Sequence, residues 1–187
     1  AENVPEVLYL DLAVQALGGM MGGAFPDSMG QEISHVWNHI GARIGVVGDQ
    51  EQADKLLGLG LPRLERLIVI DDRGMDDYDD PRIITFAAMM KLGRELAPDV
   101  RKRFEAAVAA GDPSQPAALL YTSGTTGKPK GAVLTQMSAV HAGRAMMQAE
   151  RLHPDDEIIS YLPYAWVGER MYAQFYALAA RYRVNFP

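Results

Sequence analysis

The chain has 187 residues, 48% apolar and 22% charged, enough for one sizeable core or two small ones. With 18 basic against 24 acidic residues the net charge is −6, which argues against a nucleic-acid partner. The absence of cysteine excludes disulfides, thiolate catalysis and cysteine-ligated metals from this stretch, and it fits a reducing cytosol.

The opening Ala1-Glu2-Asn3-Val4-Pro5 carries no basic region of secretory type. Pro5 to about Leu17 reads as a helix, with Leu8, Leu12 and Val14 to Leu17 on its apolar face and Gly18-Gly19 as its stop. The apolar run from Val7 to Phe25 is interrupted by Asp11, Gln15 and four glycines. An aspartate near the middle of a membrane span costs roughly 2.5–3.5 kcal/mol on insertion scales, so a buried helix, a glycine-rich turn and a short strand over Met20–Phe25 is the better reading.

Pro26-Asp27-Ser28 ends that strand, and Ser28 is placed to cap a helix running to Ile40, with Gly41 at its C-terminus. A strand over Arg43–Val47, a helix over Gln50–Leu57 and a strand over Leu67–Ile70 follow. Asp71 to Pro81 is acidic and rich in turn formers. It lacks the alternating spacing of a calcium loop and reads as solvated. Phe86–Ala110 is helical in composition, broken at Pro98, and Gly111–Pro116 is a loop. Strands over Ala117–Tyr121 and Lys130–Leu134, a helix over Gln136–Leu152, a strand over Glu157–Leu162 and a helix over Trp166–Ala180 complete the chain. Such alternation predicts an α/β fold with layered, largely parallel sheets flanked by helices.

The densest chemical signal lies between the strands at Tyr121 and Lys130. Thr122, Ser123, Gly124, Thr125, Thr126, Gly127, Lys128, Pro129 and Lys130 combine hydroxyl donors, glycines that let the backbone approach an anion, and two cations. This composition binds phosphate. It is not a Walker A loop, which needs Gly where Thr122 stands and Ser or Thr where Pro129 stands. His35 and His39 are four apart on a helix, but no third metal ligand is evident beside them, and an exposed helix face is the simpler reading. Glu169 and Arg170 read equally as a catalytic pair and as an ion pair anchoring a helix start.

The run Leu120–Thr135 (LYTSGTTGKPKGAVLT) resembles the nucleotide-binding signature of the AMP-binding, adenylate-forming superfamily. Tyr161–Arg170 (YLPYAWVGER) is similar to a segment of its long-chain acyl-CoA synthetases, with Trp166 where that branch usually has His and Tyr164 where it usually has Leu. Gly48–Leu56, Tyr78–Pro81 and Glu2–Glu6 also resemble that branch, so the likeness covers nearly the whole chain.

The resemblance implies an AMP-forming long-chain fatty acid–CoA ligase using ATP, Mg2+ and coenzyme A, with adenylation of an aryl or amino acid, or a non-catalytic nucleotide-binding remnant, as alternatives. It implies that Thr122 and Lys128 act in catalysis and that Thr122 to Lys130 hold ATP. It implies further that Thr122 helps ligate magnesium, and that Trp166, Val167, Glu169 and Arg170 line the substrate pocket. Residues 1–111 would form an upstream α/β part of the N-terminal domain, and 112–187 the phosphate-loop hairpin with its following helices. The family's ribose-binding, hinge and catalytic-lysine elements would follow Pro187, so the chain alone is expected to be inactive as a ligase. Peripheral contact with a membrane face and the oligomeric state are left open.

Overall fold

The computed structural model describes residues 2–122 and 129–187. The chain divides into two compact units, one of Pro26–Arg103, the other of Asn3–Phe25 together with Phe104–Pro187. The first twenty-five residues therefore belong largely with the last eighty or so rather than with the segment that follows them.

The chain opens with α1 (Pro5–Ala16) and the short strand β1 (Met21–Gly22). Pro5 starts α1, where its missing N–H is no loss. Val7, Leu10 and Asp11 share its buried face.

The Pro26–Arg103 unit follows. Helix α2 (Gly30–Ile40) takes Met29 as its N-cap and has no side-chain cap, so the Ser28 cap expected from sequence is not formed. Gly41 does end it, in the left-handed region at φ 64°. Strand β2 (Ile44–Val47) leads into α3 (Gln50–Gly58), whose first turn is capped by the Asp49 carboxylate accepting from the Gln52 amide at 3.0 Å. Strands β3 (Arg66–Val69) and β4 (Ile83–Thr85) complete a parallel sheet of order β2-β3-β4, with Val46 opposite Ile68 and Val69 opposite Thr85.

Leu67 and Val69 are fully buried there, as a central parallel strand requires. In the acidic loop Asp71 pairs with Arg73 and Asp80 with Arg82. Hydrogen bonding from the Arg82 side chain holds the Asp80 carboxyl at about 2. Helix α4 (Phe86–Glu95) stops one residue before α5 (Ala97–Ala109), and Pro98 falls in the first turn of the latter, where proline is tolerated.

In the other unit, β5 (Pro116–Thr122) lies between β1, to which it runs parallel, and β6 (Lys130–Thr135), to which it runs antiparallel. Ala117, Ala118, Leu119 and Leu120 of β5 are all buried. The Thr135 hydroxyl caps α6 (Gln136–Ala149), accepting from the Ser138 amide at 3.1 Å. Strand β7 (Glu157–Ile159) pairs in parallel with the terminal strand β8 (Arg183–Asn185).

Between β7 and β8 runs a helical stretch that changes register. A single turn of α7 (Val167–Glu169) passes into a π-helical segment (Arg170–Tyr176) and then α8 (Ala177–Ala180). Phe175, Tyr176, Ala180 and Tyr182 pack with Ala139 of α6 into a core.

Gly143 is what lets α6 close on this core. A Cβ there would stand 2.5 Å from the Phe175 carbonyl oxygen, which belongs to backbone and cannot rotate away. Replacing Gly143 by alanine gains about 0.8–1 kcal/mol of helix propensity. Overpacking of this kind costs typically about 1–3 kcal/mol, so the steric side is expected to win. A thermal melt should therefore show Gly143→Ala less stable than the parent, and a raised melting temperature would overturn this account.

Candidate functional site

The sequence expected to hold phosphate lies between the antiparallel strands β5 and β6. Thr122 ends β5 and Lys130 begins β6, and the two sit opposite each other as the last antiparallel pair, next to Tyr121 opposite Gly131. Both Thr122 and Lys130 are exposed, so a hydroxyl and an ammonium stand side by side at the mouth of the turn. Ser123, Gly124, Thr125, Thr126, Gly127 and Lys128 lie outside the described residues. The hairpin is held from behind by the buried alanine and leucine run of β5, so its mouth is fixed to a rigid strand rather than to a free loop.

Trp166, Val167, Glu169 and Arg170 divide into two pairs. Trp166 and Val167 are exposed, at 49% and 41%, whereas Glu169 and Arg170 are buried, at 2% and 0%. Glu169 and Arg170 do not pair with each other. Glu169 accepts from the Ser160 hydroxyl and, at 3.1 Å, from the Leu162 amide. Asn3 adds to the same knot, its amide donating to Ser160 Oγ at 3.0 Å and to the Leu162 carbonyl at 2.6 Å.

Arg170 pairs instead with Asp11 of α1, through Nη1 to Oδ2, with both side chains fully buried. The Tyr164 hydroxyl donates to that same oxygen at 3.0 Å, and Gln15 Nε2 donates to Asp11 Oδ1 at 2.9 Å. The guanidinium also lies 4.9 Å from the centroid of the Tyr164 ring, in cation–π contact. Arg170 thus anchors the start of a helix, but its partner lies 159 positions away in sequence.

Asp11 and Tyr164 are site residues that sequence reasoning missed as partners. The available signal was that Asp11 shares a helical face with Val7, Leu10 and Val14, spacings that place a carboxylate within an apolar stripe. A buried carboxylate needs a cation or several donors, so the stripe itself called for a distant arginine. The π-helical register keeps Arg170 and Gln174 inside, both at 1% exposure or less.

Burial, more than any neighbour, raises the tyrosine hydroxyl pKa values of this unit. Tyr182 is pushed up to about 12 and donates to the Tyr172 carbonyl, and Tyr164, Tyr176 and Tyr121 move in the same direction. A phenol whose folded value lies above its unfolded value of about 10 stabilises the fold fully below pH 10 and loses that contribution as pH rises through the folded value. Stability, read by denaturation at each pH, should therefore fall between about pH 10 and 12. A stability that stays level from about pH 9 to about pH 12 would overturn this.

The His35 and His39 rings stack at 5.8 Å, and among the described residues no group of three acidic or histidine side chains gathers to hold a metal. No helix among the described residues is long and apolar enough to cross a membrane.

The scaffold is α/β and rich in parallel pairing, with Thr122 and Lys130 opposite each other where β5 ends and β6 begins. It superimposes on ATP-bound MatB of Rhodopseudomonas palustris with a TM-score of 0.69 and 23% identity, over 100% of this chain and 33% of that one. The chain belongs to the AMP-binding enzyme family, whose profile matches residues 1–187. It is 29% identical over 178 residues to the long-chain-fatty-acid–CoA ligase ACSBG1 of Bos taurus, covering 92% of this chain and 24% of that protein. It is likewise 29% identical over 175 residues to the ligase ACSBG2 of Xenopus laevis, covering 90% of this chain and 23% of that protein. The chain thus spans about a quarter of the length of the curated relatives it matches.

Proposed function

We propose that this chain is the phosphate-loop part of an AMP-forming long-chain fatty acid–CoA ligase. The observation that carries the reading is the Tyr121–Gly131 sequence joining β5 to β6, with Thr122 and Lys130 opposite each other as the last antiparallel pair. The names of the relatives favour a long-chain fatty acid as the carboxylate. In this reading residues 1–111 and 112–187 are the upstream and phosphate-loop parts of one N-terminal domain, and the remaining nucleotide and coenzyme A contacts come from elsewhere in the longer protein.

The reaction has two halves. The fatty-acid carboxylate attacks the α-phosphorus of ATP, an acyl–O–P bond forms, the bond to the β-phosphate breaks and pyrophosphate leaves. The thiol of coenzyme A then attacks the acyl carbon, forming the thioester and releasing AMP, with the thiol proton passing to solvent. Thr122, Ser123, Gly124, Thr125, Thr126, Gly127, Lys128 and Lys130 hold the β- and γ-phosphates by backbone N–H groups, hydroxyls and ammonium groups. That arrangement stabilises the charge building on the departing pyrophosphate. The Thr122 hydroxyl, exposed at the end of a rigid strand, fits one position on a hard cation, and magnesium bound there would spread the phosphate charge. Trp166 and Val167 contribute to the acyl-substrate wall, and Glu169 and Arg170 support it from within.

Pyrophosphate release by the full-length protein should be measured with palmitate, acetate, benzoate and amino acids side by side. Release with palmitate is expected to be strongest. Release with benzoate or an amino acid alone would overturn the long-chain assignment.

A further inference from the structure

The buried knot around Asp11 has a bearing on substrate handling that its depth conceals. The segment from Ser160 to Arg170 is a loop with a buried base and an exposed tip. One foot is tied by Glu169, which reaches back to Ser160 Oγ and the Leu162 amide, with Asn3 bracing both. The other is tied by Asp11, whose Oδ2 takes the Tyr164 hydroxyl and Arg170 Nη1 together. Between the feet the chain turns on itself, the Trp166 amide donating to the Pro163 carbonyl at 2.8 Å. The Trp166 indole rests on Gly168, its Cε3 atom 3.3 Å from where a side-chain Cβ would stand.

An exposed indole normally samples several rotamers, and holding it for a ligand costs entropy on binding. Here the main chain on both sides of Trp166 is held before any ligand arrives. The Asp11 carboxylate is the point at which α1 reaches that loop: it touches Tyr164, two residues before Trp166, and Arg170, four residues after it.

We propose that Asp11 is a positioning residue for the acyl substrate. Through Tyr164 and Arg170 it fixes the loop that presents Trp166 and Val167. Asp11 itself touches no reacting atom. The inference rests on the ligase reading above, which places Trp166 and Val167 at the acyl wall. It assigns control of fatty-acid binding to a helix that carries no phosphate-binding residue.

The test uses the full-length ligase and three variants, with KM for palmitate, KM for ATP, kcat and melting temperature read for each. Tyr164→Phe removes one hydroxyl from Asp11 and leaves the ion pair. It should raise KM for palmitate about two- to tenfold and lower the melting temperature by a few degrees, with KM for ATP little changed. Asp11→Asn should raise KM for palmitate further.

Asp11→Leu/Arg170→Met replaces the buried pair by apolar groups of similar bulk, a change that generally preserves stability. It should keep the parent melting temperature while KM for palmitate stays at least about tenfold raised, a loss equivalent to ~1.4 kcal/mol. Recovery of palmitate affinity along with stability in the double variant would overturn the proposal, as would parallel changes in both KM values or an unchanged Tyr164→Phe enzyme. Failure of the unmodified enzyme to release pyrophosphate with palmitate would instead overturn the functional reading beneath it, so the two failures are separable.

Discussion

Arg170→Met is expected to destabilise the unit formed by Asn3–Phe25 and Phe104–Pro187 by about 3–5 kcal/mol, the usual cost of removing one member of a buried ion pair. The cost falls on Asp11. Its carboxylate is fully buried and would keep only two neutral donors, the Tyr164 hydroxyl and the Gln15 amide, against a charge that water cannot reach. The effect is therefore not the worth of the salt bridge, which, after desolvation of both groups, can be close to zero. Adding Asp11→Leu should return most of the lost stability. Urea denaturation of the single and double variants measures this directly, and a single variant within about 1 kcal/mol of the parent would mean that Asp11 finds another cation or is solvated.

Lys128→Ala should have the largest effect on the chemistry. A charge-assisted contact to phosphate is worth roughly 1.5–3 kcal/mol, so kcat/KM for ATP should fall about ten- to a hundredfold, with a smaller change for the fatty acid. Lys130 stands on β6 opposite Thr122, and in the proposed reading it contacts the same phosphates, so Lys130→Ala should also weaken ATP handling, and the double substitution more than either alone. The measurement is the initial rate of pyrophosphate release across ATP concentrations. Unchanged ATP kinetics in Lys128→Ala would remove that residue from the site.

What could be read from the sequence follows the range of the forces involved. The α5 break near Pro98, the Gly41 cap and the parallel strands over Arg43–Val47 and Leu67–Ile70 are local matters of composition and periodicity, and they stand in the structure with shifts of a residue or two. The Ser28 cap did not form because the helix starts later, at Gly30, with Met29 in the capping position. Strands β4 and β8 went unread because three residues each, Ile83–Thr85 and Arg183–Asn185, carry too little alternation to be recognised without their partners. The π-helical register of Arg170–Tyr176 has no periodicity of its own to announce it. The partner of Arg170 was hidden for a different reason: proximity across 159 positions is decided by the fold as a whole, and only the misplaced charge of Asp11 hinted at it.

The placing of α1 in the unit that Phe104–Pro187 completes also bears on how the chain reaches its native state. Residues 26–103 form a sequence-contiguous body whose sheet pairs strands no more than a few tens of positions apart, so it can assemble as soon as it leaves the ribosome. The unit holding α1 cannot. Met21 must wait for Ala118 before β1 has a neighbour, and Asp11 must wait for Arg170 before its charge is matched. Such long-separation contacts make that unit the slow step of folding, with a largely apolar helix and a bare carboxylate left unpartnered meanwhile. Synthesis from the N-terminus thus makes α1 well before the segments against which it packs.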